Sequence, residues 1–166
     1  MIRLFLFLLL LPLVSLAQKP SELFPLNLPA CKIIFLEYDQ LEIPEDMKRG
    51  YKKTYKLRNE AAEKANKELA KAAKDYPYKY IIASRDEVDK LSEQGYKYVL
   101  ESPLMQGYNS GEDMVDEGGL SLIANLEIMD LHSSASYPIF SFGEDEVYDY
   151  KGIMKHFNKL LGKAFK

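Results

Sequence analysis

Tryptophan is absent from the 166 residues, cysteine occurs once and histidine twice. With Cys31 alone, no disulfide can close within the chain, so the fold must be held by packing. His132 and His156 read as surface residues, because neither H-x-x-x-H nor C-x-x-C occurs to bring metal ligands together. There is no G-x-S-x-G nucleophile turn and no glycine loop of the kind that cradles phosphate. Cys31 has no histidine at a spacing that suggests nucleophilic work. The expectation is therefore no catalytic residues, no cofactor and no metal. An excess of positive charge is lacking too. The net charge is −3, and the lysines between Lys48 and Lys74 interleave with glutamates, as on a solvated helix face. Nucleic acid favours a concentrated basic patch and is not an expected partner.

What is present begins with an apolar run. Arg3 precedes an uninterrupted stretch from Leu4 to Leu11, and Ser15-Leu16-Ala17 places small residues where a signal peptidase cuts. The run is too short for a comfortable membrane span, which needs about 20 residues. Export with cleavage after Ala17 is expected, to the periplasm or outside the cell, with no span in the mature chain. Removing 17 of 166 residues leaves 149, with 21 Lys and Arg against 25 Asp and Glu. A chain of that length buries about two-thirds of its unfolded surface without disulfides. Leu28-Pro29-Ala30-Cys31 resembles a lipidation box, but the polar stretch QKPSELFPLNLP parts it from the apolar run. That separation argues against a lipid anchor at Cys31 and for a structural thiol.

Residues 18–31 read as an extended lead-in and 32–166 as one α/β domain. Lys32 to Asp39 is the first strand, and its consecutive Ile33, Ile34, Phe35 and Leu36 predict burial on both faces. A helix follows from about Met47 to Tyr76, with Leu57, Ala61, Ala65, Leu69, Ala72 and Tyr76 as its stripe. The central unit, Tyr78 to Ser102, reads strand, helix, strand. Ser84 and Glu87 form an S-x-x-E capping box, and Gly95 supplies the left-handed stop. Leu120 to Leu131 alternates as a half-buried strand, and Tyr137 to Phe142 is an edge strand that tolerates Pro138. A helix from about Asp145 to Phe165 carries Val147, Tyr150, Ile153, Met154, Phe157, Leu161 and Ala164 along one side. The predicted fold class is α/β, a single domain with a mixed sheet in the order β-α-β-α-β, long loop, β-β-α.

Three groups of residues are functional candidates. Glu37 and Asp39 lie at the carboxyl end of the first strand, where open α/β sheets place ligands, and could do acid–base work or hold a cation. The loop from Pro103 to Gly119 is long enough to suggest function. Its acids Glu112, Asp113, Asp116 and Glu117 lack the order of an EF-hand, while Leu104, Met105, Tyr108, Met114 and Val115 offer apolar contacts. The twelve tyrosines, Tyr96 and Tyr98 among them, suit either an interface or the rim of the core.

The helix running into YKYIIASRDEVDKL, the strand GYKYVLES and the segment LEIMDLHSSASYPI resemble the fold shared by the TolB amino-terminal domain, the curli-export protein CsgG and LpoB-type lipoproteins. Gly95 to Leu100 looks like the opening of that family's third strand. Met129-Asp130-Leu131 and the polar turn after it look like a later strand end. The likeness covers roughly residues 32–165. It implies a non-enzymatic envelope module that binds another protein. From the residues alone, the competing reading is a small-ligand-binding or hydrolytic domain using Glu37 and Asp39.

Overall fold

The computed structural model describes residues 22–101, 123–143 and 149–166. Among them are strands β1 (Lys32–Leu36), β2 (Tyr80–Ala83), β3 (Tyr96–Leu100), β4 (Ile123–Asp130) and β5 (Ser136–Gly143). The helices are α1 (Arg49–Ala72), α2 (Val88–Glu93) and α3 (Tyr150–Ala164). The strands form one mixed sheet in the order β2-β1-β3-β4-β5, so the protein is α/β as its sequence predicts. β1 pairs in parallel with β2 and β3, and β4 and β5 add antiparallel.

The topology dictates which helix covers which face. The chain moves from β1 to β2 in one direction and returns from β2 across β1 to β3 in the other. Parallel crossovers are right-handed, so the two connecting helices fall on opposite faces. The core divides accordingly. Ile33, Phe35, Tyr98, Leu100, Leu126 and Ile128 pack with residues of α1 and α3, whereas Ile34, Leu36, Ala83 and Val99 pack with Leu91 of α2. β1 is thus buried on both faces, as its apolar run predicts.

Boundaries differ where tertiary contacts override local pattern. β1 ends at Leu36 instead of continuing to Asp39. Beyond it the chain peels toward α1 and is taken by two asparagines one heptad apart. The Asn66 Oδ1 accepts from the Tyr38 N–H at 2.8 Å while its Nδ2 donates to the Tyr38 carbonyl at 3.0 Å. Asn59 clamps Leu41 in the same way, at 2.8 and 2.9 Å. An extended segment therefore lies along a helix, its backbone satisfied by side-chain amides rather than by a strand.

The stripe of α1 rotates from the predicted one. Ala62, Ala65, Leu69, Ala73 and Tyr76 are buried, whereas Leu57 is 56% exposed. A 3-10 turn, Ala73–Asp75, closes the helix. The Ser84 and Glu87 capping box forms and opens a short 3-10 turn ahead of α2. Gly95 holds φ +86°, the left-handed conformation that stops it. β4 begins at Ile123 in the described residues and buries Leu126 and Ile128. Pro138 sits on edge strand β5 opposite Glu127, beside a register shift at Leu126/Glu127. α3 starts at Tyr150, with the Asp149 carboxylate accepting from the Gly152 N–H at 2.9 Å. It buries Tyr150, Ile153, Met154, Phe157 and Leu161. Phe24 and Leu28 of the lead-in close the core, Phe24 meeting Phe157 edge-on at 5.6 Å.

Candidate functional site

The outer surface of the α1–α3 layer is where the two long helices concentrate charge. From Arg49 to Asp75 nine Lys and Arg stand against four Asp and Glu, and from Tyr150 to Lys166 five lysines stand against none. The layer is net +10 in a chain that is net −3. Its lysines are exposed, apart from the half-buried Lys52. The cause is amphipathicity. Both helices spend their apolar positions on the same sheet face, which leaves their lysines on one outward surface.

Between the two helices runs a groove of about 630 Å³, lined by Glu68, Lys71, Ala72, Asp75, Lys151, Lys155 and Asn158. Ala72 keeps it open, since a larger side chain there would fill it. The ion pairs of 4.0 Å or less among the described residues are Glu63–Lys67, Arg85–Glu101 and Lys97–Asp130, so none of the groove's charges is neutralised by direct pairing. The Oδ1 of Asn158 is buried and makes no hydrogen bond among the described residues. Another groove, about 370 Å³, lies between β5 and α3, with Phe140, Asp149 and His156 on its walls. The Asp149 carboxylate there is already occupied as the helix cap.

Glu37 is half-buried, and its N–H continues the pairing of β1 by donating to the Ala83 carbonyl at 3.0 Å. Asp39 is exposed, and neither carboxylate lines either groove. Tyr96 is half-buried under the Lys32 ammonium, 5.1 Å from its ring centre. Tyr98 points inward, 1% exposed, and its hydroxyl donates to Asn27. Burial pushes that hydroxyl above the usual tyrosine range, against the pull of Lys97. The two tyrosines are therefore not brought to one surface. Leu104, Met105, Tyr108, Met114 and Val115 lie outside the described residues, as does the signal segment. No group of three or more His, Cys, Asp or Glu among the described residues is arranged to hold a metal ion. No helix among them is long and apolar enough to cross a membrane.

Two polar groups carry unusual electrostatics. Asp130 ends β4 and is buried, which raises its pKa. The N–H groups of His132 at 2.9 Å and Ser133 at 3.2 Å donate to it, and the Lys97 ammonium stands 3.4 Å away. Together these outweigh burial and hold the carboxyl below the usual aspartate range. It organises the tight turn to β5, in which Ser134 adopts φ 56°. Tyr76 is buried with a hydroxyl that has no partner among the described residues, and burial, with Tyr78 and Cys31 adding, pushes it well above the tyrosine range.

The basic layer escapes sequence reasoning because its halves are about 80 positions apart and one half is diluted by glutamates. The signal that could have found it is the final helix, whose lysines repeat every fourth residue with no acid among them. No family model, curated protein or solved structure matches the chain.

Proposed function

We propose that the chain is an exported, non-enzymatic binding module of the cell envelope, an adaptor that holds another protein through its basic helix layer. The observation that carries this reading is the segregation of charge: net +10 on one layer and −13 on the remainder of the chain. Such a field steers an acidic partner to one face and rejects basic ones. The likeness to TolB, CsgG and LpoB-type proteins and the signal-like start support the envelope setting. The apolar residues of the loop from Pro103 to Gly119 are a second candidate contact, whereas Tyr96 packs on the α2 face of the sheet, away from the basic layer.

The test uses the processed chain as bait in envelope extract. A captured protein should be identified by mass, recaptured reciprocally and released by raised salt, because exposed charges are screened beyond about 10 Å at 0.1 M. Replacing Lys151, Lys155, Lys159 and Lys163 with glutamine should abolish capture. Capture unaffected by salt and by these substitutions would refute the basic layer as the interface. An intact mass that includes residues 1–17 would refute export with cleavage.

A further inference from the structure

The chain already shows how it holds an extended backbone against a helix. Asn59 and Asn66 each use both ends of the side-chain amide to take the N–H and C=O of one residue in the strap after β1. Asn158 presents the same group in the groove between α1 and α3, and its oxygen has no such residue to bind. The amide's terminal torsion is broad, so rotation about χ2 exchanges its donor and acceptor ends at little cost. As placed, the Asn158 oxygen is closed to solvent and unpaired, which is costly; that rotation brings it to the groove, where a ligand's backbone N–H can donate to it.

The charges around Asn158 set what kind of backbone that is. Lys151 and Lys155 stand on one wall and Lys71 on the other, none in a direct ion pair. Lysines four residues apart on a helix are about 6 Å apart along its axis. Alternate residues of an extended chain are about 6.8 Å apart, so carboxylates at every second position fall in register with them. Glu68 and Asp75 also line the groove and repel any carboxylate placed against them, so the ligand's acidic positions must face the three lysines, while Glu68 and Asp75 can accept from its backbone N–H groups.

We propose that the α1–α3 groove binds an extended acidic peptide segment, with Lys71, Lys151 and Lys155 taking alternate carboxylates and Asn158 taking the backbone between them. This rests on the protein-binding reading above and gives it a ligand chemistry. It also sets the groove apart from the rest of the basic layer, which contributes attraction but no register.

The test measures fluorescence anisotropy of the processed chain with a labelled dodecapeptide of alternating Glu and Ser. A block peptide of six Glu followed by six Ser has the same charge without the register. The alternating peptide should bind at least tenfold more tightly than the block peptide. Lys151→Gln with Lys155→Gln should weaken it at least tenfold, and Asn158→Ala several-fold with no fall in the thermal midpoint. Lys163→Gln with Lys166→Gln, equal in charge but outside the groove, should change it less than threefold. Equal binding of both peptides, or equal losses from the two lysine pairs, would overturn the proposal in favour of a diffuse charged surface. Binding to phosphatidylglycerol vesicles with no binding to either peptide would overturn it in favour of a lipid surface. If the envelope protein is still captured by the Lys151/Lys155 variant, the groove proposal fails while the protein-binding reading stands. If the peptide results hold and no protein is captured, the groove stands and the envelope reading fails.

Discussion

Phe157 is the residue through which α3 is tied to everything else, and Phe157→Ala measures that tie. The side chain is fully buried. Its ring lies 5.6 Å from Phe24 of the lead-in, 6.4 Å from Phe35 of β1 and 6.1 Å from Tyr76, just past the 3-10 turn that closes α1. Truncating a buried Phe to Ala costs about 3–5 kcal/mol, more where neighbours cannot collapse into the space. Here the neighbours are rings on three separate elements, and aromatic pairs are worth about 0.5–1.5 kcal/mol beyond their buried area. The expected loss is therefore in the upper part of the range, about 4–5 kcal/mol. With a urea slope of about 2 kcal/mol per molar, the unfolding midpoint should fall by about 2 M. Phe157→Leu keeps most of the volume and should lose only about 1.5 kcal/mol. Equilibrium urea unfolding followed by far-UV circular dichroism reads both. A loss below about 1 kcal/mol for the alanine variant, with an unchanged slope, would refute the placement of α3 in the core.

Three further outcomes follow from other contacts. Asn66→Ala strands both backbone groups of Tyr38 and should cost about 2 kcal/mol, two hydrogen bonds at about 1 kcal/mol each; a neutral substitution in thermal unfolding would show that water replaces the clamp. Tyr76→Phe deletes a buried hydroxyl that has no partner among the described residues and should leave stability unchanged or raised by up to about 1 kcal/mol, whereas a loss of that size would reveal a bonded hydroxyl. The fold holds the Asp130 carboxyl below the ordinary aspartate range, so its ionised form stabilises the fold above the unfolded-state value, and the contribution is lost as pH falls through the folded value. Asp130→Asn should accordingly be less stable than the parent at neutral pH, with the two converging in acid; a difference that stays constant down to pH 2 would contradict the assigned network.

Strong local signals in the sequence translate directly into structure. The Ser84 and Glu87 box, the left-handed Gly95 and the aromatic run Tyr96–Leu100 each specify their own geometry within a few residues, and all three appear as expected. The class of fold follows from the order of such elements. What sequence reasoning misses is set by partners far along the chain. Tyr38 alternates correctly for a strand, yet Asn66, 28 residues later, outcompetes the sheet for its backbone. Leu57 has the right spacing for the α1 stripe, yet α1 turns so that Ala62 and Ala65 face the core and Leu57 does not. The α1–α3 groove was illegible for the same reason, since Lys71 and Lys155 become neighbours only when two helices pack on one sheet face.

The meeting of Phe24 with Phe157 has a consequence for time as well as for stability. The lead-in is among the first segments of the domain to be synthesised, and α3 is the last of the described elements. At synthesis rates of about 5–20 residues per second, the ring of Phe24 waits several seconds or more for its partner. Until then the sheet face between them has no second helix, and closing so long a loop is intrinsically slow. The nascent chain is thus expected to stay open until α3 emerges. For a chain exported as proposed, that delay would keep it threadable through a translocation channel before it commits to its fold. Protease challenge of ribosome-bound chains reads this directly: protection appearing before α3 has emerged would show that the core closes without it.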